Sequence, residues 1–335
     1  MLFRSMMDPK TQVTQLHGTS VLDASTHAFE ENLVKSLIRV YPRENGRALV
    51  NVALNAYVNQ HGAIGLAAAD AARASGNSPN TSLCAAIALQ GPHQAEPARL
   101  AVAALVELFK KSGLQDPEDT EFDFSVQLQH AIDGDTRNLL VSEAECEKGS
   151  AMLDALESRG AKSVFIDFLK TLANETGGRV RAQVVVAAIV THLAWRPLIR
   201  KRIALLTIKN MPWHFRIFSA MVGSAAGIEQ HTNEQFCGIG NEELMKSWSF
   251  TETAHLALLG SKPSKGELFA FSILLGLIVS NGPGTISAQG PKGAVSADGP
   301  ETPERVQINK GYIGFLTHTG YAHGGNGFEA IAFLL

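Results

Sequence analysis

Cysteine is scarce in this chain, charge is sparse, and no apolar run is long. The three cysteines, Cys84, Cys146 and Cys237, lie too far apart for a metal-ligand spacing and are too few for a disulfide framework, which suits a reducing compartment. The expected location is therefore the cytoplasm, and no metal is expected. Charged residues make up only 18% of the chain and the formal net charge is -3, so the concentrated positive field that neutralises nucleic-acid phosphates is missing. The longest apolar runs, Leu268 to Val279 and Val184 to Val190, fall short of the ~20 residues a membrane span needs, and both read as buried helices. The opening MLFRSMMDPK turns polar before an apolar h-region develops, so no secretory signal is expected. Strand-like alternation is rare. Together these absences argue against a nucleic-acid binder, a membrane span and a β-rich fold.

What remains is helix. With 335 residues and 45% hydrophobic composition, the chain can bury one large core or two smaller ones. Apolar residues recur at helical spacing over Thr26 to Tyr41, stop at Pro42, and resume over Gly46 to Gln60. The small-residue stretch Gly62 to Ser75 predicts a core helix packed on several sides, and Thr81 to Leu89 predicts a shorter apolar segment. The acidic, proline-containing Leu114 to Asp123 is the best linker candidate of the first half. Helices are predicted over Ser142 to Ser158 and Ala161 to Ala173, and the apolar Arg179 to Trp195 ends in WRPLIRKR. That basic cluster reads as a solvated helix face, or as a contact for cofactor phosphates.

Helix starts are marked most clearly toward the C-terminus. Ser249 with Glu252, Ser264 with Glu267 and Asn326 with Glu329 have capping-box spacing, and Thr302-Pro303 places proline at a first helical position. Two glycine-rich loops, SNGPGTISAQG (Ser280 to Gly290) and HGGNG (His323 to Gly327), adjoin predicted helix ends. Unpaired N–H groups and the positive end of a helix dipole favour an anion there, and His323 adds a hydrogen-bond donor or a proton. The words GNSPNTS near Gly76 and SNGPGTIS near Ser280 are alike, which suggests either a degenerate internal copy or shared turn chemistry.

SFTETAHLALLGSKPSKGE (Ser249 to Glu267), then SNGPGTISAQG, then HGGNG, resembles in order and spacing the citrate synthase superfamily, which includes the citryl-CoA lyase module of ATP-citrate lyase. The resemblance covers roughly the last hundred residues. It implies an all-α, multi-helical large domain, with residues 211–335 as its first part and residues 1–210 as a helical N-terminal region. It also implies acyl-CoA-dependent carbon–carbon bond formation or cleavage, of transferase or lyase type in tricarboxylic acid metabolism. The substrates would be a coenzyme A thioester and a 2-oxo acid or citrate-like acid, and the assembly a homodimer or larger homo-oligomer.

By this resemblance His323 is the catalytic residue that polarises the thioester carbonyl, with Gly324, Gly325 and Asn326 beside it. The family's two first-loop histidines fall on Asn281 and Gln289, which can donate hydrogen bonds but carry no charge. The chain stops twelve residues after His323, inside the apolar run Ala330 to Leu335, which reads as a truncated frame or a fragment. A non-catalytic helical dimerisation or regulatory module is the alternative. By contrast, His255 within FTETAHLALL lies on an apolar face, as a core histidine does.

Overall fold

Ala182–Ile199 is apolar on every side, and the fold is assembled around it. The computed structural model describes residues 5–8, 10, 13–59, 62–229, 236–279, 282, 284–297 and 306–320. Three short antiparallel strands, β1 (Ser5–Met7), β2 (Thr14–Leu16) and β3 (Thr19–Ser20), form one small sheet in that order. The first helices are α1 (Val21–Ala24), α2 (Phe29–Ile38), α3 (Glu44–Asn55), α4 (Ile64–Ala74), α5 (Pro79–Ala88) and α6 (Pro92–Phe109). Then come α7 (Ser125–Asp133), α8 (Thr136–Leu140), α9 (Glu147–Ser158), α10 (Val164–Thr176), α11 (Ala182–Ile199) and α12 (Leu205–Ile228). The series continues with α13 (Asn241–Ser247), α14 (Phe250–Leu259), α15 (Lys265–Ile278), α16 (Ile286–Ser296) and α17 (Ile308–Thr317). The protein is all-α apart from the small sheet.

A helix without a polar face has to be covered all round. Accordingly α11 packs against α3, α6, α9, α10 and α12. It is long and apolar enough to cross a membrane by length and composition, yet 78% of that stretch is buried inside the protein. At its far end the Trp195 ring meets Phe165 edge-on at 5.1 Å, and Phe165 meets Phe109 at 5.0 Å. Contacts of this geometry add to what area burial already contributes.

The stretch expected to be a linker belongs to this core. Leu114 is buried and its carbonyl accepts the Trp195 indole N–H at 3.0 Å. Asp116 pairs with Arg196, and the Pro117 carbonyl accepts the Val164 N–H at 2.9 Å. The segment is a strap over α11, because its acidic and proline residues find partners that composition cannot reveal. The suggested division at residue 210 falls inside α12, whose Leu205–Ile228 span runs unbroken, and one apolar core extends from Leu33 to Ala257.

Two helices lie differently from expectation. In α4 only Gly65, Leu66 and Ala69 are buried and Ile64 is exposed, so the small residues make one close face against α5 and α12 and leave the rest in solvent. In α15 only Gly276 is buried, while Phe269, Leu274, Leu277 and Ile278 are exposed. Gly276 is what seats the helix: a Cβ there would lie 2.3 Å from Ser25 Cα. Hydrophobicity alone did not decide burial here, because α15 sits at the outer edge of the bundle on α1, α2 and α14.

The capping boxes at Ser249 and Ser264 form as read, each serine accepting the N–H of the glutamate three residues on. The starts near residues 303 and 327 lie outside the described residues. Both look-alike words precede helix starts, those of α5 and α16, and the two helices flank α17. Asn80 Nδ2 donates to the carbonyls of Leu316 and Thr319 at 3.0 and 2.8 Å, closing the end of α17. Gly290 and Gly314 let α16 and α17 touch backbone to backbone, since a Cβ on Gly290 would lie 2.0 Å from the Gly314 carbonyl oxygen.

Candidate functional site

Helices α9 and α11 begin side by side because the segments before them are paired: Ser142 and Arg179 exchange two backbone hydrogen bonds, at 2.9 and 2.7 Å. Gly149, in the first turn of α9, closes the junction. A Cβ on it would lie 1.9 Å from the Val180 carbonyl oxygen, so only glycine permits this approach. Neither start has a side-chain cap, Cys146 and Arg181 being the cap residues. First-turn N–H groups have no partner within their own helix, and here the positive ends of two helices open toward one place.

That place is a cavity of about 460 Å³, lined by Tyr57, Asn59, Lys148, Arg181, Gln183 and Arg216 among others. Tyr57 follows α3, and Arg216 is the α12 residue facing it. The Arg216 guanidinium lies 5.3 Å from the Tyr57 ring centroid, and the Lys148 ammonium 5.2 Å from the same centroid. Each is a cation–π contact, and together they set two like charges around one ring. Glutamines hold Arg216: its Nε donates to Gln90 Oε1 at 2.8 Å and a terminal nitrogen to Gln94 Oε1 at 3.1 Å. Its position is thereby fixed without its charge being neutralised. The Nε of Arg181 is buried with no hydrogen-bond partner among the described residues. Among the described residues the only carboxylate in the lining is the exposed Glu147.

Protonation follows from this crowding. Desolvation, and then repulsion from Arg216, lower the Lys148 pKa. Burial also lowers that of Arg216, although a guanidinium keeps its charge at neutral pH. Burial pushes the Tyr57 hydroxyl up to about 12 against the pull of Arg216, so it remains a proton donor. The site thus offers three cations, a phenol and two helix starts to whatever enters. The matching ligand is an anion: a carboxylate or a phosphate.

The residues singled out from the sequence stand apart from this cavity or outside the description. Gln289 is exposed on α16 and does not line the cavity. Asn281, His323, Gly324, Gly325 and Asn326 lie outside the described residues. His255 is a core histidine, as expected: it is buried, with Nδ1 3.2 Å from the Ser261 carbonyl oxygen and its ring edge-on to Phe271. Buried between α12 and α17, His214 Nδ1 lies 2.7 Å from the Tyr312 hydroxyl. All three cysteines are free thiols, and burial raises the Cys237 thiol to about 11. Among the described residues no group of His, Cys, Asp or Glu side chains is arranged to hold a metal.

Sequence reading missed Tyr57, Lys148, Arg181 and Arg216 because they are scattered along the chain and none sits in a motif. The one local signal was Lys148-Gly149 at the opening of a helix. No protein-family model, curated protein or solved structure matches this chain.

Proposed function

We propose that the protein acts on an anionic acyl-CoA thioester together with a 2-oxo acid or citrate-like acid, forming or cleaving a carbon–carbon bond through an enolised thioester. The observation that carries the reading is the uncapped pair of helix starts with Lys148, Arg181 and Arg216 around one cavity, a receptor for carboxylate or phosphate oxygens. The order of SFTETAH, SNGPGTISAQG and HGGNG supplies the reaction class. In the forward direction the α-proton passes from the α-carbon to a general base and the thioester carbonyl oxygen takes the charge, with His323 as the proposed hydrogen-bond donor to it. The enol carbon then bonds to the keto carbon of the 2-oxo acid, the keto oxygen takes the released electron pair and a proton to become a hydroxyl, and cleavage is the reverse.

The test is exchange of the acetyl-CoA methyl protons with deuterated water, followed by NMR. His323→Ala is expected to slow exchange by on the order of 100-fold, and Arg216→Ala to weaken binding of the acid at least about tenfold, both with unchanged far-ultraviolet circular dichroism. Exchange that never exceeds the buffer rate with any 2-oxo acid present would sink the reading. A second reading, a non-catalytic helical dimerisation module, is favoured by the exposed apolar residues of α15.

A further inference from the structure

A second, smaller cavity of about 200 Å³ lies where the end of α11 meets the start of α3 and the 114–123 strap. Its floor is mainly apolar, with Ile38, Val40 and Leu193 among its lining residues, and its rim holds Arg43, Arg196, Arg200 and Arg202. Asp116 pairs with Arg196 and also attracts Arg43, and among the described residues Glu118 is the one carboxylate in a lining that holds four arginines. Two of them are presented by a Schellman end to α11: Lys201 N–H bonds the Leu198 carbonyl and Arg202 N–H the Pro197 carbonyl, both at 2.8 Å. The left-handed position of that motif holds Lys201, with φ 55°, where glycine is the usual occupant.

At the floor is His192, 4% exposed, whose Nδ1 is buried with no hydrogen-bond partner among the described residues. Its Nε2 lies 3.9 Å from Glu118 Oε1, too far for a hydrogen bond. The His192 ring lines the cavity, while this nitrogen is itself covered and the ring also meets the Pro117 backbone. We infer that this cavity binds a phosphomonoester carried on a compact ring: the phosphate takes Arg43, Arg200 and Arg202, and the ring lies on the apolar floor beside the His192 ring. The space of about 200 Å³ admits one ring and no more, so the matching class is a monosaccharide monophosphate. This does not depend on the carbon–carbon chemistry proposed for the larger cavity.

Calorimetric titration of the whole chain with glucose 6-phosphate, glucose and inorganic phosphate tests the assignment. The monophosphate is expected to bind more tightly than either fragment, and Arg200→Ala with Arg202→Ala, both at exposed positions, to weaken it at least about tenfold without lowering the melting temperature. In protein with labelled histidine, the His192 ring resonances should move with the monophosphate and stay in place with phosphate alone. Absence of monophosphate binding, equal binding of either fragment, or affinity unchanged in the double variant would each overturn the inference.

Discussion

Thr251 and Glu30 lie 221 residues apart in the chain, and the Thr251 hydroxyl donates to the buried Glu30 carboxylate at 2.6 Å. The same carboxylate accepts Arg47 Nε at 3.0 Å and the Thr251 N–H at 3.2 Å. One residue earlier, Phe250 N–H donates to Asn51 Oδ1 at 2.7 Å. So the opening of SFTETAHLALLG is held in place by α2 and α3, and the segment that carries the resemblance depends on the N-terminal half for its position.

Glu30→Ala should therefore destabilise the whole molecule. Removing one partner of a buried ion pair costs about 3–5 kcal/mol, and the lower end is expected because Arg47 remains 41% exposed and can turn to water. Urea unfolding followed by circular dichroism measures it. A loss below about 1 kcal/mol would mean the pair is replaced by water at little cost.

Gly149→Ala tests how the larger cavity is built. Its new methyl group has to move α9 away from Val180, an overpacking that costs about 1–3 kcal/mol, and the α9 start would leave its place beside that of α11. Loss of stability is expected together with loss of anion binding. An alanine variant that melts and binds as the parent does would show that the two helix starts need no close contact.

Two histidines make stability depend on acidity. Burial depresses His192 and His214 from 6.5 to about 3 in the folded state, where His192 also feels an opposing pull from Asp116. Above pH 6.5 both are neutral, folded or unfolded, and contribute no slope. As pH falls from 6.5 toward 3 the unfolded chain takes up protons that the folded chain refuses, so stability falls by up to about 1.4 kcal/mol per pH unit for each histidine. Denaturant midpoints measured between pH 6.5 and 5 should drop, and His192→Gln with His214→Gln should flatten the dependence. An unchanged slope in the double variant would place its origin elsewhere.

The exposed face of α15 predicts association. Phe269, Leu274, Leu277 and Ile278 form an apolar surface of the kind that subunit interfaces cover. Sedimentation at micromolar concentration should report a dimer, and Phe269→Glu with Ile278→Glu should yield a monomer that melts cooperatively. A parent protein that sediments as a monomer removes the proposed oligomer.

What the sequence determined by itself was local. Helical spacing, proline stops and the boxes at Ser249 and Ser264 act within a turn or two of chain, and the helices they mark are present as α2, α3, α14 and α15. The polar start of α15 and its apolar run were equally legible, yet its exposure was not, because burial depends on what packs against a helix. Leu114 to Asp123 has the composition of a linker and lies over the core, since Trp195 and Arg196 supply partners from about 80 residues away. The cationic cavity is a stronger case. Tyr57, Lys148, Arg181 and Arg216 share no spacing in the chain. Only the packing of α3, α9, α11 and α12 brings their charges together, and the low dielectric of that packing gives Tyr57 its raised pKa.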